Sequence, residues 1–319
     1  VSKILITGAT GFIGRSLVPA LVAAGHDIRC AVWQKVDGLN AEQIVINKLE
    51  EKIDWSAALD GVDIVIHLAA RVHIMKENAQ SSLQEYCKVN SIATKNFAEQ
   101  AARHHVKRFI FLSSIKVNGE FTPPLLPFSE QSDVQPEDPY AKSKLYAEQY
   151  LQEISQRTGM ETVILRPPLV YGPGVKANFL KMLHMIKKGW PLPFGKVANK
   201  RSFIYIDNLI SAIVAVMDHP NAANQLFLVA DNDAWSLTEL LTILSQGMNV
   251  QLKLLNIPVA FLIFFFKLIG FNNLNLRLFR SLEVSNNKIK SQLGWMPPVT
   301  SQEGLKITAA WYQYDHNSK

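Results

Sequence analysis

Short, almost uninterrupted apolar runs alternate with longer stretches whose apolar positions recur at helical spacing, and this alternation dominates the first half of the chain. Residues 3–7 (KILIT), 27–32 (DIRCAV), 63–69 (DIVIHLA), 108–114 (RFIFLSS) and 162–167 (TVILRP) read as strands. Between several of them lie helix-period segments such as 82–105 (SLQEYCKVNSIATKNFAEQAARHH). Continuous apolar strands separated by helices predict an α/β fold, a Rossmann-type doubly wound parallel sheet covered on both faces. Beyond residue 166 the pattern is less regular, with turn-rich loops at 171–178 (YGPGVKAN), 189–196 (GWPLPFGK) and 293–300 (LGWMPPVT) around fewer strands. The expected organisation is a dinucleotide-binding domain over 1–166, with later strands returning to it around 203–230. A smaller C-terminal lobe, mainly 167–319, closes over a ligand at the carboxyl edge of the sheet.

Composition narrows the function classes. The 319 residues carry 33 Lys and Arg against 27 Asp and Glu, a net charge of +6 that suits anionic ligands. The basic clusters Arg103, Lys107, Arg108 and Lys187, Lys188 have no aromatics interleaved and read as solvated helix ends rather than a nucleic-acid track. Only two cysteines, Cys30 and Cys87, are present, which argues against a disulfide framework or a metal site and suits a reduced, cytoplasmic protein. No charged leader with a cleavage site precedes the first strand. The apolar segment 257–270 (IPVAFLIFFFKLIG) is broken by Lys267 and falls short of the ~20 residues of a membrane span. It is expected to be a buried or interfacial helix, with peripheral membrane contact left open.

Gly8, Gly11 and Gly14 follow the first strand directly and open a helix expected over 17–24. In that context the first glycine permits the tight turn, the second lets backbone approach a pyrophosphate, and the third lets helix pack on strand. The helix N-terminus adds unpaired N–H groups and a positive dipole end. Strand, glycines and helix together predict a dinucleotide site.

The G-x-x-G-x-x-G spacing, with DIVIHLAA, VNSIATKNF, VKRFIFLSS and above all PYAKSK in order, resembles the extended short-chain dehydrogenase/reductase family. The resemblance extends to the tail NKIKSQLGW. It points to the NAD-dependent epimerase/dehydratase branch: UDP-glucose and UDP-N-acetylglucosamine 4-epimerases, dehydratases and related nucleotide-sugar 4-ketoreductases. It implies a nicotinamide cofactor held by Gly8, Gly11, Phe12, Ile13, Gly14, Arg15, Lys35, Leu68, Ala69, Ala70, Ser113, Tyr140, Lys144 and Pro167. NAD-preferring members of the fold end the second strand with an acidic residue, whereas here Val32 and Trp33 stand there, and Arg15 and Lys35 are placed to meet a 2′-phosphate. The cofactor is therefore NAD or NADP, with NADP favoured. Lys48 stands near where relatives often carry an Asp beside the adenine.

Tyr140 and Lys144 are four apart in a helix-patterned stretch and project from one face. The resemblance makes them the acid–base pair acting on a substrate hydroxyl or carbonyl. A phenol of pKa ~10 must then fall by about three units, roughly 4 kcal/mol, and Lys144 and an oxidised nicotinamide are the two positive charges expected to supply the shift. Ser114 would hydrogen-bond the sugar beside Tyr140, and Ser113 would lie near the nicotinamide. Sugar 4,6-dehydratases have an Asp-Glu pair next, where this chain has Ile115 and Lys116, so dehydration is not expected. Lys116 and Asn118 also depart from the Thr and Tyr usual in UDP-galactose 4-epimerases, and Leu169 from a substrate-contacting Asn. SSIKVNGE itself resembles a bacterial branch linked to UDP-N-acetylhexosamine and 6-deoxyhexosamine metabolism.

In the second lobe Arg201 matches the family arginine that meets the diphosphate, its planar fork suiting phosphate oxygens. Lys116, Asn178, Phe194 and Arg280 complete the expected substrate contacts, to phosphate, base and sugar. Two enzymes share the implied half-reaction at C4 of a nucleotide-linked hexose. An epimerase returns the hydride to the other face; a 4-ketoreductase consumes reduced cofactor once. A non-catalytic nucleotide-sensing protein has no chemical need to keep Ser114, Tyr140 and Lys144, and a simple alcohol or flavanone-type reductase has no need of Arg201. A homodimer through the helix bearing Tyr140 and the one before it is the family habit.

Overall fold

The computed structural model describes residues 2–46, 53–72, 79–268 and 278–315. Lys48, and the last two residues of the apolar segment, Ile269 and Gly270, lie outside the described residues. Seven strands form one parallel sheet: β1 (Lys3–Thr7), β2 (Asp27–Val32), β3 (Glu42–Val45), β4 (Ile64–His67), β5 (Arg108–Leu112), β6 (Glu161–Arg166) and β9 (Gln225–Leu228), in the order β3-β2-β1-β4-β5-β6-β9. The chain runs outward from β1 to β3 and then returns to β4 on the other side of β1. The carboxyl ends of β1 and β4 therefore flank the switch point where such sheets bind ligands. A second sheet, β10-β8-β7, joins β7 (Leu169–Tyr171), β8 (Arg201–Tyr205) and β10 (Ala234–Trp235). Of the strands expected to return to the main sheet, β9 does so, whereas β8 pairs with β7 and β10.

Strand alternation explains the two layers of core. Ile4 and Ile6 face one apolar cluster that continues through Val163 and Leu165 to Phe203 and Ile204 of the second sheet. Leu5, Val65, Phe109 and Phe111 face the other, against Phe97, Ala101 and Leu151. Buried on both faces, these strands have no solvent-facing side to alternate with, which is why they read as largely apolar runs.

Helix α5 (Pro139–Thr158) is bounded by local chemistry. Asp138 Oδ1 accepts from the Ala141 N–H at 2.7 Å, Pro139 occupies the first turn, and Gly159 closes the helix at φ +78°. The single helix expected over 82–105 is instead α3 (Ala79–Cys87), a π-helical turn (Lys88–Ile92) and α4 (Ala93–Arg103). The widened turn holds buried Asn90, whose side chain pairs with both backbone groups of Arg71, at 2.8 and 3.0 Å, and donates to Ser143 Oγ of α5 at 3.1 Å. Apolar spacing cannot register this turn, because it is set by one polar side chain.

Arg108 is not the solvated cation expected. It is buried at the amino end of β5, where its guanidinium donates to the carbonyls of Val216, Met217 and His219 and pairs with Glu161. It thereby caps the C-terminus of α7 (Ile206–Asp218), the end that favours a cation. Arg29 does the same for the short helix α2 (Ser56–Leu59), bonding the carbonyls of Ala57, Ala58 and Asp60.

Candidate active site

The glycine loop lies at the carboxyl end of β1. Gly8 takes φ +73°, and a Cβ there would lie 2.8 Å from the Ala69 backbone nitrogen, so both conformation and contact require glycine. A Cβ on Gly14 would collide with the Gly8 carbonyl, so helix α1 (Gly14–Ala23) begins hard against the turn. Gly11, by contrast, has only the Gly8 carbonyl oxygen near its Cβ position, at 3.2 Å. No side chain caps the helix N-terminus at Ile13, which leaves it to an anion. Leu68, Ala69 and Ala70 follow β4 beside this loop, half-buried. These features fit a dinucleotide pyrophosphate. Arg15 folds back, its Nε donating to the Thr10 carbonyl at 2.9 Å, while Trp33 and Lys35 after β2 are exposed.

Below the loop runs a buried hydrogen-bond chain that sequence reading missed. The Ala69 N–H donates to Thr7 Oγ1, which meets His67 Nδ1 at 2.6 Å; His67 Nε2 meets Thr94 Oγ1 at 2.9 Å, and that hydroxyl donates to the Asn90 carbonyl. The only assignment that satisfies every member is a neutral ring with its proton on Nε2. Burial, with the Lys144 charge nearby, pushes His67 down to about 3.

Tyr140 and Lys144 sit in the first two turns of α5. Lys144 is buried, donates to the Leu112 carbonyl at the end of β5 at 2.8 Å, and lies 4.3 Å from the Phe111 ring centre. Burial lowers its amine to about 7. Within the protein itself the Tyr140 phenol is pushed up, by burial first, then by the Asp138 carboxylate and Tyr86.

Ser114, directly after β5, is extended, and its Oγ accepts from the Lys116 N–H at 3.3 Å, leaving its proton to donate. Lys116 pairs with Asp138, the cap of α5, and with Glu120 at 3.1 Å. This ion cluster ties the turn carrying Ser114 to the helix carrying Tyr140. Pro167 is buried and accepts from the Ile115 N–H at 2.9 Å. The Ser113 hydroxyl, expected near a nicotinamide, donates to buried Glu148. Glu148 pairs with Arg166, also buried, and Arg166 reaches Asn118 Oδ1 at 2.9 Å. The sequence signal for this pair was present, an arginine ending an apolar strand and a glutamate on the inner face of α5.

On the substrate side Arg201 Nη1 donates to the Arg280 carbonyl at 3.0 Å, and the Arg280 guanidinium stacks 4.3 Å from the Phe121 ring centre. Segments about eighty residues apart in sequence are thus brought together. Asn178 is exposed near the start of α6 (Ala177–Lys187), and Leu169 is exposed at the start of β7. Phe194 is corrected: its side chain is buried in the main core, so it offers no face to a base.

The model of the NAD dependent epimerase/dehydratase family matches residues 4–230. A Vibrio cholerae protein named UDP-glucose 4-epimerase is 40% identical over 317 residues, 99% of this chain and 97% of its own length. Among solved structures, Bacillus cereus UDP-glucuronic acid 4-epimerase in complex with NAD superposes with a TM-score of 0.80 at 22% identity, covering 99% of this chain and 98% of that one. UDP-glucose 4-epimerase of Thermotoga maritima with UDP-glucose gives 0.76 at 24% identity, covering 98% and 99%. These structural likenesses establish the shared α/β fold.

Proposed function

Since this chain belongs to the NAD dependent epimerase/dehydratase family of nucleotide-sugar enzymes, we propose that it interconverts the C4 epimers of a UDP-hexose, of the UDP-glucose or UDP-N-acetylhexosamine type. The observation that carries this reading is the 40% identity, end to end, with the Vibrio cholerae relative of that name. The glycine loop and the residues after β4 hold the dinucleotide, and the portion beyond residue 166 mainly holds the nucleotide sugar. Arg201 and Arg280 meet the diphosphate with guanidinium groups. Asn178 is a further candidate contact. The partner expected for the enzyme is a second copy, through α4 and α5, in the cytoplasm.

When bound, the nicotinamide supplies a hydride acceptor and donor at C4 of the sugar. Tyr140 takes the O4 proton as C4 is oxidised and returns it as C4 is reduced. Ser114 donates to O4 and keeps it beside the phenol. Lys144, fixed by the Leu112 carbonyl, orients the cofactor side of the site. Asp138 and Glu120, the carboxylates near the place of the dehydratase acid–base pair, are held by Lys116, which fits the absence of an elimination step.

A second reading, an NADPH-dependent 4-ketoreductase of a UDP-4-keto-6-deoxy-N-acetylhexosamine, is favoured by one observation. No carboxylate ends β2, where Trp33 and Lys35 are exposed instead. Incubation with each UDP-hexose pair, read by chromatography alongside nicotinamide absorbance, separates the two. Epimer interconversion at constant absorbance, lost by about 10²–10⁴-fold in Tyr140→Phe, is expected. Stoichiometric loss of NADPH with the keto-sugar and no interconversion selects the reductase. Interconversion unaffected by Tyr140→Phe would overturn the assignment of the acid–base group.

A further inference from the structure

Helix α9 (Val259–Leu268) carries two apolar stripes, and only one of them faces protein. Val259, Leu262 and Phe266 point inward, with Leu262 buried and Phe266 packed 6.0 Å from the Phe279 ring centre. Phe261, Phe264, Phe265 and Leu268 recur at i, i+3, i+4 and i+7, the spacing of a core-facing stripe, yet they are 58%, 65%, 47% and 73% exposed. Scattered exposed apolar residues need no explanation, but a continuous stripe of three phenylalanines and a leucine marks an interaction surface.

The stripe does not end with the helix. The segment leading into α9 pairs with the loop after α6: the Leu192 N–H donates to the Lys253 carbonyl and the Leu255 N–H to the Leu192 carbonyl, both at 2.8 Å. The two paired segments also carry exposed apolar side chains, Leu255 at 47% and Trp190 at 56%. Lys188 lies 4.7 Å from the centre of the Trp190 ring, and Lys253 and Lys267 are exposed on the same segments.

Charge identifies what covers this surface. From residue 162 to 206 and from 240 to 282 there is no Asp or Glu, although Lys176, Lys181, Lys187, Lys188, Lys196, Lys253 and Lys267 all fall within these two spans. The paired segments thus carry aromatic and aliphatic side chains with cations and no acids of their own, in a chain of net charge +6. Lysines beside an exposed apolar helix, with tryptophan at its border, are the composition of a helix lying in a bilayer interface. A second copy of the chain would bring the same cations against themselves. Among the described residues no helix is long and apolar enough to cross a membrane.

We propose that α9, with Trp190 and Leu255 beside it, docks the protein on the surface of an anionic lipid bilayer. Phe261, Phe264, Phe265 and Leu268 enter the acyl boundary while the lysines meet the headgroup charge. The inference does not depend on the reaction at Tyr140.

Flotation of the full chain with vesicles of phosphatidylcholine, or of phosphatidylcholine with phosphatidylglycerol, tests it. The expected result is co-flotation that favours the phosphatidylglycerol vesicles and weakens at high salt. Phe264→Ser/Phe265→Ser should reduce binding at least about tenfold, with an unchanged circular dichroism melt. Lys253→Gln/Lys267→Gln should abolish the preference for the anionic vesicles. No flotation with either vesicle, equal binding to both, or full binding by Phe264→Ser/Phe265→Ser would overturn the proposal. So would sedimentation showing an oligomer that Phe264→Ser/Phe265→Ser dissociates, since a second copy would then own the face.

Discussion

Arginines on two sides of the site are used in opposite ways. Arg166, at the end of β6, is buried, and its fork is taken up by Glu148 and Asn118. Arg201, at the start of β8, is half-buried, and Arg280 beside it is exposed and stacked on Phe121. The first pair joins residues eighteen apart within the parallel-sheet half; the second joins residues seventy-nine apart. A guanidinium whose bonds close inside the protein fixes the scaffold under Ser113 and α5. Arg201, nearer the surface, instead joins two distant segments of the second half through the Arg280 carbonyl.

The sharpest way to break this contrast is to remove the partner of the buried arginine. Glu148→Ala leaves Arg166 charged and buried, and such losses cost about 3–5 kcal/mol. Urea unfolding should show it directly, and Glu148→Leu with Arg166→Met should recover most of it, since a buried pair is readily replaced by apolar side chains of similar volume. Arg201→Gln should behave in the opposite manner. Its unfolding midpoint should stay within about 0.5 kcal/mol of the parent, while KM for the UDP-sugar rises by the equivalent of about 1.5–3 kcal/mol with kcat little changed.

A separate effect is expected in the pH dependence of stability. His67 is pushed from 6.5 to about 3, so the unfolded chain binds the extra proton between those values. The stability it contributes is complete above pH 6.5 and is lost as pH falls toward 3. His67→Gln should flatten the acid limb of a urea titration relative to the parent. Lys144, lowered from 10.5 to about 7, carries the same sign at higher pH, so Lys144→Met should remove a rise in stability above pH 7.

The same division decides how much was legible in the sequence. Five strands of the main sheet announce themselves because buried parallel strands are dominated by apolar residues. Helix α5 is bounded by Asp138, Pro139 and Gly159, each with a local cause. The glycine loop is legible for the same reason, since Gly8 and Gly14 answer to backbone geometry within a few residues. What escaped depends on distant partners. Arg108 reads as a surface cation until the C-terminus of α7 arrives over it, and Phe194 reads as a ligand contact until the core closes around it. Ser113 could not be assigned before Glu148 and Arg166 were known to face it. The direction in which the protein moves the Tyr140 phenol was unreadable because it turns on burial and on Tyr86 folding against it. The π turn at Asn90 belongs to the same class, a local distortion fixed by contacts with Arg71 and Ser143.

In the proposed 4-epimerisation a hydride would leave C4 and return to the same carbon while Tyr140 carries the proton. Incubating the protein with UDP-glucose bearing deuterium at C4, and separately with the N-acetylated analogue, tests it most directly by mass and NMR analysis of the recovered nucleotide sugars. The account predicts the C4 epimer with its deuterium retained at C4 and no net change in nicotinamide absorbance. Absence of the epimer from both substrates, with NADPH consumed once per UDP-4-keto sugar supplied, would contradict it.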